Sequence, residues 1–83
     1  MTIKVDLFYT LKKYCIDKIK GNDNGFDLII KDKTGITLFD LLKIINIPEE
    51  EAGFITMGNK KLDWYYVLRD GDCIKVYPVI IAG

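Results

Sequence analysis

The 83 residues of the chain suffice for one small domain, and its composition argues against several classes of protein. Its 12 basic and 12 acidic residues balance, so there is no electrostatic basis for binding nucleic acid or an anionic membrane. There is no histidine, and Cys15 and Cys73 lack Cys-x-x-Cys spacing, so a metal site is not expected. No signal peptide opens the sequence and no apolar run approaches membrane-spanning length, and we expect a soluble cytoplasmic protein with reduced thiols.

The first third of the sequence predicts a strand, a helix and a second strand. Apolar and polar residues alternate over residues 2–9, with Phe8 on the face that should be polar. The opposite, buried face of this strand carries Ile3, Val5 and Leu7. Thr10 is the predicted N-cap of a helix that runs to about Lys20, and the turn-forming residues 21–25 follow it.

The middle of the sequence predicts a strand and the clearest amphipathic helix. Residues 26–31 alternate as a second strand, and Thr37 with Asp40 forms a weak capping box at the start of a helix. The apolar stripe of that helix consists of Leu38, Leu41, Leu42 and Ile45. Asn46 and Pro48 end the helix, which must pack on a sheet to bury its stripe.

The last third predicts two or three strands. Residues 54–57 form the third strand, Gly58-Asn59 is a hairpin turn, and a short return strand starts with Leu62 and Trp64. After the turn at Asp70-Gly71, residues 73–77 alternate as the last strand. Its buried face carries Ile74 and Val76, and its exposed face carries Lys75 and Tyr77. These elements predict an α+β fold, a mixed sheet on a helix, but not its topology.

Strand pairing is expected to end at Pro78, because proline has no N–H group for a ladder. Residues 79–83 carry no turn signal and have no partner strand. The predicted organisation is therefore a domain over residues 1–78 and a flexible C-terminal tail over residues 79–83.

The segment Leu68–Pro78, which contains Asp70-Gly71-Asp72, resembles the end of the ubiquitin-like sulfur carriers, namely the small subunit of molybdopterin synthase and its relative in thiamine biosynthesis. Those proteins close with a Leu-x-Asp-Gly-Asp-x-Val-x-aromatic-Pro pattern and a tail ending in Gly-Gly. The resemblance implies a ubiquitin-like β-grasp of four to five strands with the first and last strands parallel and adjacent. The helix between the first two strands is typical of the molybdopterin-synthase branch.

The same resemblance implies a function for the tail. A partner adenylating enzyme, similar to the ubiquitin-activating kind, would use ATP to activate the Gly83 carboxylate, and a sulfur donor would convert it to a thiocarboxylate. The tail would then enter the active site of a larger synthase subunit. Phe8 and Tyr77 would form an aromatic docking patch for these partners. The residues of the arm that carries Gly83 would be Val79, Ile80, Ile81 and Ala82. No bound cofactor and no independent catalysis are expected.

Several alternatives stay open at this point. Ala82 replaces the first glycine of the usual Gly-Gly end, and its methyl group either passes the channel of the activating enzyme or blocks adenylation. A further glycine after Gly83 would make Gly83 the penultimate position. The sulfur acceptor could belong to the thiamine pathway, or the chain could be a ubiquitin-like interaction module whose tail is not activated. Phe8 and Tyr77 could also be isolated surface rings covered by the stems of Lys4 and Lys75.

Other residues with chemical potential have simpler interpretations. Asp70 and Asp72 are expected to be turn caps, and Cys73 is expected to be an ordinary thiol on a strand. Trp64 and the Tyr65-Tyr66 pair are expected to be core and rim residues. A standalone enzyme is the weakest hypothesis, because the sequence has neither histidine nor an acid–base cluster.

Overall fold

A computed structural model of the chain describes residues 1–21, 23–31 and 34–79. The strands of its sheet are β1 (Thr2–Leu7), β2 (Gly25–Ile29), β3 (Ala52–Met57), β4 (Lys60–Lys61) and β5 (Cys73–Pro78). They lie in the order β2-β1-β5-β3-β4. β1 and β5 are parallel, and the other neighbouring strands pair antiparallel. First and last strands that lie parallel and adjacent in a mixed sheet characterise the ubiquitin-like β-grasp, so the predicted fold is confirmed.

The main helix, α1 (Leu38–Ile44), begins where its capping box predicts. The Thr37 hydroxyl oxygen accepts the Asp40 N–H at 3.3 Å, and an Asp40 carboxylate oxygen accepts the Thr37 N–H at 3.0 Å. These two bonds satisfy backbone donors that the first turn of a helix leaves without partners. Asn46, whose φ is 61°, turns the chain away after the helix.

A single hydrophobic core lies between one face of the sheet and α1. The predicted inward residues of the strands are buried, and the fully buried strand side chains include Ile3, Val5, Leu7 and Val76. The helix contributes Leu38, Leu41, Leu42 and Ile45 to the same core. The alternation that the sequence shows is thus the difference between the core face and the outer face of the sheet.

The predicted helix from Thr10 to Lys20 is wrong in type and in extent. The chain instead forms a 3-10 helix over Tyr9–Cys15, and Phe8 rather than Thr10 occupies its N-cap position. Tyr9 has a φ of 54°, so the chain turns sharply out of β1 and the helix starts earlier than the threonine predicts. Only Leu11 and Cys15 of this helix are buried, which is too narrow an apolar stripe to hold a longer helix on the core.

The predicted return strand at Leu62 and Trp64 is also misplaced. β4 follows the Gly58-Asn59 turn directly, and Leu62 donates its N–H to the carbonyl of Ile55 at 2.8 Å immediately after it. The two-residue turn sets the register of the hairpin at once, so pairing begins at Lys60. The chain then crosses to the segment that precedes α1, where Leu68 donates its N–H to the carbonyl of Ile36 at 2.8 Å.

The strand pairing of β5 ends at Pro78, as expected. Pro78 is the last residue of β5 and lies opposite Ala52, and the N–H of Val79 donates to the carbonyl of Glu51 at 3.0 Å. A bulge between Ala52 and Phe54 shifts the register at this point, and proline is tolerated at such irregularities. Gly53 permits the bulge, because a Cβ atom there would lie 2.7 Å from the Pro78 carbonyl oxygen. The domain boundary after residue 78 stays a prediction.

Candidate functional site: an aromatic row on the outer face of the sheet

Three aromatic rings stack side by side on the face of the sheet that does not pack on α1. We call Phe8, Tyr77 and Phe54 the aromatic row. The Phe8 and Tyr77 ring centroids are 4.8 Å apart with planes 4° from parallel. The Phe54 and Tyr77 centroids are 4.7 Å apart with planes at 12°. Each ring is half-buried, so the stack presents a continuous, partly exposed apolar surface.

Strand order and register bring these three rings together. Phe8 continues β1 in an extended conformation and donates its N–H to the carbonyl of Val76 at 3.2 Å. On the other side of β5, Phe54 lies directly opposite Tyr77 in the antiparallel register. The chain neighbours Leu7, Val76 and Ile55 are buried, and strand alternation therefore turns the rings to the outer face. The structure places the predicted pair Phe8 and Tyr77 in direct contact, while its role in partner binding stays a prediction.

Phe54 is the member of the row that sequence reasoning missed. Its alternation with the apolar residue Ile55 was a usable signal, because an inward Ile55 requires an outward Phe54. That Phe54 pairs with Tyr77 depends on the bulge at Gly53, which sets the register of β3 against β5. No local sequence pattern predicts that register.

A row of polar side chains borders the aromatic row on the same face. The strand registers align Asp6 with Lys75, Lys75 with Thr56, and Thr56 with Lys61, and we call these four residues the charged row. The Lys61 Nζ atom lies 5.9 Å from the centroid of the Phe54 ring, which is within the range of a cation–π contact. Lysines thus adjoin the aromatic row at the side of β5 and β4.

The predicted arm begins at the same end of the sheet as the aromatic row. Val79 follows Tyr77 by two residues, is 45% exposed, and is held to Glu51 by its backbone N–H. The other residues assigned to the arm and its reactive end, namely Ile80, Ile81, Ala82 and Gly83, lie outside the described residues.

The carboxylates of the Asp70-Gly71-Asp72 turn hold backbone and side-chain donors. Asp70 accepts the Thr2 N–H at 2.7 Å, and this bond ties the turn to the start of β1. Asp72 accepts the Tyr66 hydroxyl at 2.8 Å and the Arg69 N–H at 2.9 Å. The hydrogen bond to Asp72, with a smaller contribution from burial, raises the pKa of Tyr66. These bonds are those of turn caps, as the sequence predicts.

The two cysteines have different environments. Cys15 is buried in the core, and burial raises the pKa of its thiol. Cys73 is exposed at the start of β5, with its Sγ atom 3.7 Å from the carbonyl oxygen of Gly71. Within residues 1–21, 23–31 and 34–79, no group of three or more cysteine or acidic side chains could hold a metal ion.

A second group of rings lies on the α1 side of the molecule. Phe39 stacks on Trp64 with centroids 5.6 Å apart, and the edge of Tyr65 meets Phe39 at 5.3 Å. Trp64 and Tyr66 pack against the core, whereas Tyr65 is 74% exposed. This arrangement agrees with core and rim positions.

No helix in the described part of the chain is long and apolar enough to span a membrane.

Comparison with known proteins identifies the fold but no family. No family model matches the chain, and no curated protein matches it either. SAMP1 from Haloferax volcanii is similar with a TM-score of 0.64 and 10% identity, over 100% of both chains. A chain of the complex of subunits 1 and 2 of the molybdopterin-converting factor from Helicobacter pylori 26695 is similar with a TM-score of 0.57 and 19% identity, also over 100% of both chains. At these identities the likeness supports the β-grasp fold alone.

Proposed function

We propose that this protein is a sulfur carrier similar to the small subunit of molybdopterin synthase, with the C-terminal glycine, Gly83, as the residue that carries sulfur. The observation that supports the proposal most is the aromatic row beside Val79. A partly exposed stack of three rings close in sequence and space to Val79 on a β-grasp is suited to dock a partner that must also reach the residues after Val79. The molybdopterin-converting factor chain with the same fold occurs in a two-subunit complex, which is consistent with a larger synthase subunit as partner.

The proposed chemistry belongs to the tail and to its partners. The Gly83 carboxylate attacks the α-phosphorus of ATP in the active site of an adenylating enzyme, and pyrophosphate leaves. The resulting acyl adenylate has an electrophilic carbonyl, which a sulfide-level donor attacks, and AMP departs to leave a thiocarboxylate. The thiocarboxylate then gives its sulfur to a pterin precursor in the synthase, for molybdenum or tungsten cofactor synthesis. The chain itself needs no bound cofactor in this scheme.

The proposal is tested by reconstitution with the adenylating enzyme encoded in the same genome. The intact chain is incubated with that enzyme, ATP and sulfide, and its mass is measured. The expected result is a mass gain equal to the exchange of one oxygen for one sulfur, and the control that lacks Gly83 should show no gain. An unchanged mass of the intact chain, with an enzyme that activates another carrier, would contradict the proposal.

The same experiment also tests the alternative that the chain is an interaction module whose tail is not activated, because Ala82 replaces the first glycine of the usual Gly-Gly end. If the natural chain stays unmodified and only the Ala82→Gly variant gains sulfur, the methyl group blocks activation and the interaction module is the better description.

A second experiment identifies the sulfur acceptor. The thiocarboxylated chain is offered separately to a molybdopterin-type synthase subunit and to a thiazole synthase. Sulfur transfer to the thiazole precursor alone would assign the chain to thiamine synthesis.

A further inference from the structure

Among the residues that the structure describes, the two lysines of the charged row form no ion pair with an acidic side chain. Lys61 and Lys75 are both exposed. Within the described residues an ion pair forms between Lys13 and Glu51 at 3.9 Å, and it involves neither of these two lysines. Asp6 is the cross-strand neighbour of Lys75, but its carboxylate lies against Gly25 on β2, where a Cβ atom would collide with it. The negative charge of the row is therefore directed away from β5.

The two lysines lie inside any interface that covers the aromatic row. Lys75 precedes Tyr77 by two residues on β5, a separation of about 7 Å along a strand. The Lys61 Nζ atom lies over the Phe54 ring, 5.9 Å from its centroid. A partner seated on the rings removes water from both ammonium groups, which is unfavourable unless the partner supplies compensating acceptors.

We propose that the partner that docks on the aromatic row presents carboxylate side chains to Lys61 and Lys75. This inference rests on the proposed function, since the partner in question is the adenylating enzyme. The occupant is thus a folded protein surface with an apolar centre for the three rings and an acidic margin on the side of β5 and β4. Charge complementarity of this kind speeds encounter and fixes the orientation of the docked chain.

The test is a double charge reversal with a control of equal net charge. The variant Lys61→Glu with Lys75→Glu is compared with Lys60→Glu combined with Lys43→Glu. Lys60 is adjacent to Lys61 but pairs with Met57, whose side chain packs toward the core, and Lys43 lies in the last turn of α1. All four lysines are exposed, so the two variants differ in where the charge changes and not in how much.

ATP–pyrophosphate exchange by the adenylating enzyme gives kcat and KM for each carrier variant. For the Lys61 and Lys75 variant, we expect KM to rise about tenfold or more with kcat unchanged, because the charges act on docking and not on the chemical step. The KM of the natural chain should rise with salt concentration, and that of this variant should rise less or fall. The control variant should keep its KM within about twofold.

The outcomes separate this inference from the proposed function. Normal adenylation of the natural chain together with an unchanged KM for the Lys61 and Lys75 variant would overturn the acidic margin and leave the carrier function standing. An equal rise in KM for both double variants would also overturn it, because net charge alone would explain the effect. No adenylation of the natural chain would overturn both. The neutral variant Lys61→Gln with Lys75→Gln should give an intermediate KM, and thermal unfolding establishes that each variant is folded.

Discussion

At the scale of single residues, the turn before β5 shows how a few hydrogen bonds order a surface segment. Asp72 joins the Tyr66 hydroxyl to the Arg69 N–H, and Asp70 joins the same turn to β1. Gly71 adopts a φ of 87°, a conformation that glycine reaches without steric cost. The Asp-Gly-Asp sequence is therefore explained by the turn it builds.

The Tyr66 hydrogen bond makes stability depend on pH at alkaline values. Folding raises the pKa of Tyr66 above its ordinary value of 10.0, so the stabilisation is present below that value and is lost as pH rises through the folded-state pKa. We expect Tyr66→Phe to lower the free energy of unfolding by about 1 kcal/mol at neutral pH. Urea unfolding should show this difference shrinking at alkaline pH.

The control for this experiment is Tyr65→Phe. Tyr65 is next in sequence and 74% exposed, and among the described residues its hydroxyl has no hydrogen-bond partner. Its substitution should leave the free energy of unfolding nearly unchanged at every pH. A loss of stability in Tyr66→Phe that stays constant with pH would show that packing of the ring, rather than the hydrogen bond, accounts for the effect.

At the scale of elements, local sequence patterns predict a helix correctly where residues close in sequence bond to each other or share one buried face. α1 begins at the predicted capping box and buries the predicted stripe, because both depend on residues three and four positions apart. The helix predicted from Thr10 fails for the opposite reason. The backbone at Tyr9 turns the chain out of β1, and no side chain caps the 3-10 helix that follows.

The capping box predicts a measurable cost for losing one hydroxyl group. Thr37→Ala leaves the Asp40 N–H without its acceptor, and we expect it to reduce the free energy of unfolding by about 1 kcal/mol. Thr37→Ser keeps the hydroxyl and should retain most of that stability. Denaturant unfolding of the three proteins is the measurement, and equal losses for alanine and serine would point instead to the packing of the threonine methyl group.

At the scale of the whole molecule, the candidate site is a product of sheet topology. Residues 8, 54 and 77 are far apart in the sequence, and they meet because β1 and β3 both pair with β5. The parallel pairing of the chain's first and last strands also puts Val79 near the rings. The aromatic row and the start of the proposed arm therefore occupy one end of one sheet.

The topology predicts that the central ring contributes more to docking than a more exposed ring elsewhere. Tyr77→Thr should raise the KM for adenylation by about thirtyfold, which corresponds to roughly 2 kcal/mol for an aromatic anchor. Threonine retains the β-propensity of the strand. Tyr65→Thr removes a more exposed ring on the α1 side and should leave KM unchanged. Equal effects of the two substitutions would argue against the aromatic row as the docking surface.

The local features of this structure can be predicted from the spacing of residue types along the chain. The sequence identified the inward faces of β1 and β5, the cap and stripe of α1, and the turns at Gly58-Asn59 and Asp70-Gly71. It also singled out Phe8 and Tyr77 as outward rings. These features follow from side-chain periodicity and from pairs of residues within four positions of each other, and both are visible in the spacing of residue types.

The tertiary structure alone decided the order of the strands, their register and the membership of the site. The β-grasp topology was expected from a resemblance and not from periodicity, because alternation is the same whichever strand lies next door. Phe54 joins the aromatic row through a bulge at Gly53. Register depends on hydrogen bonds and packing between residues distant in sequence, and those interactions exist only once the sheet has formed.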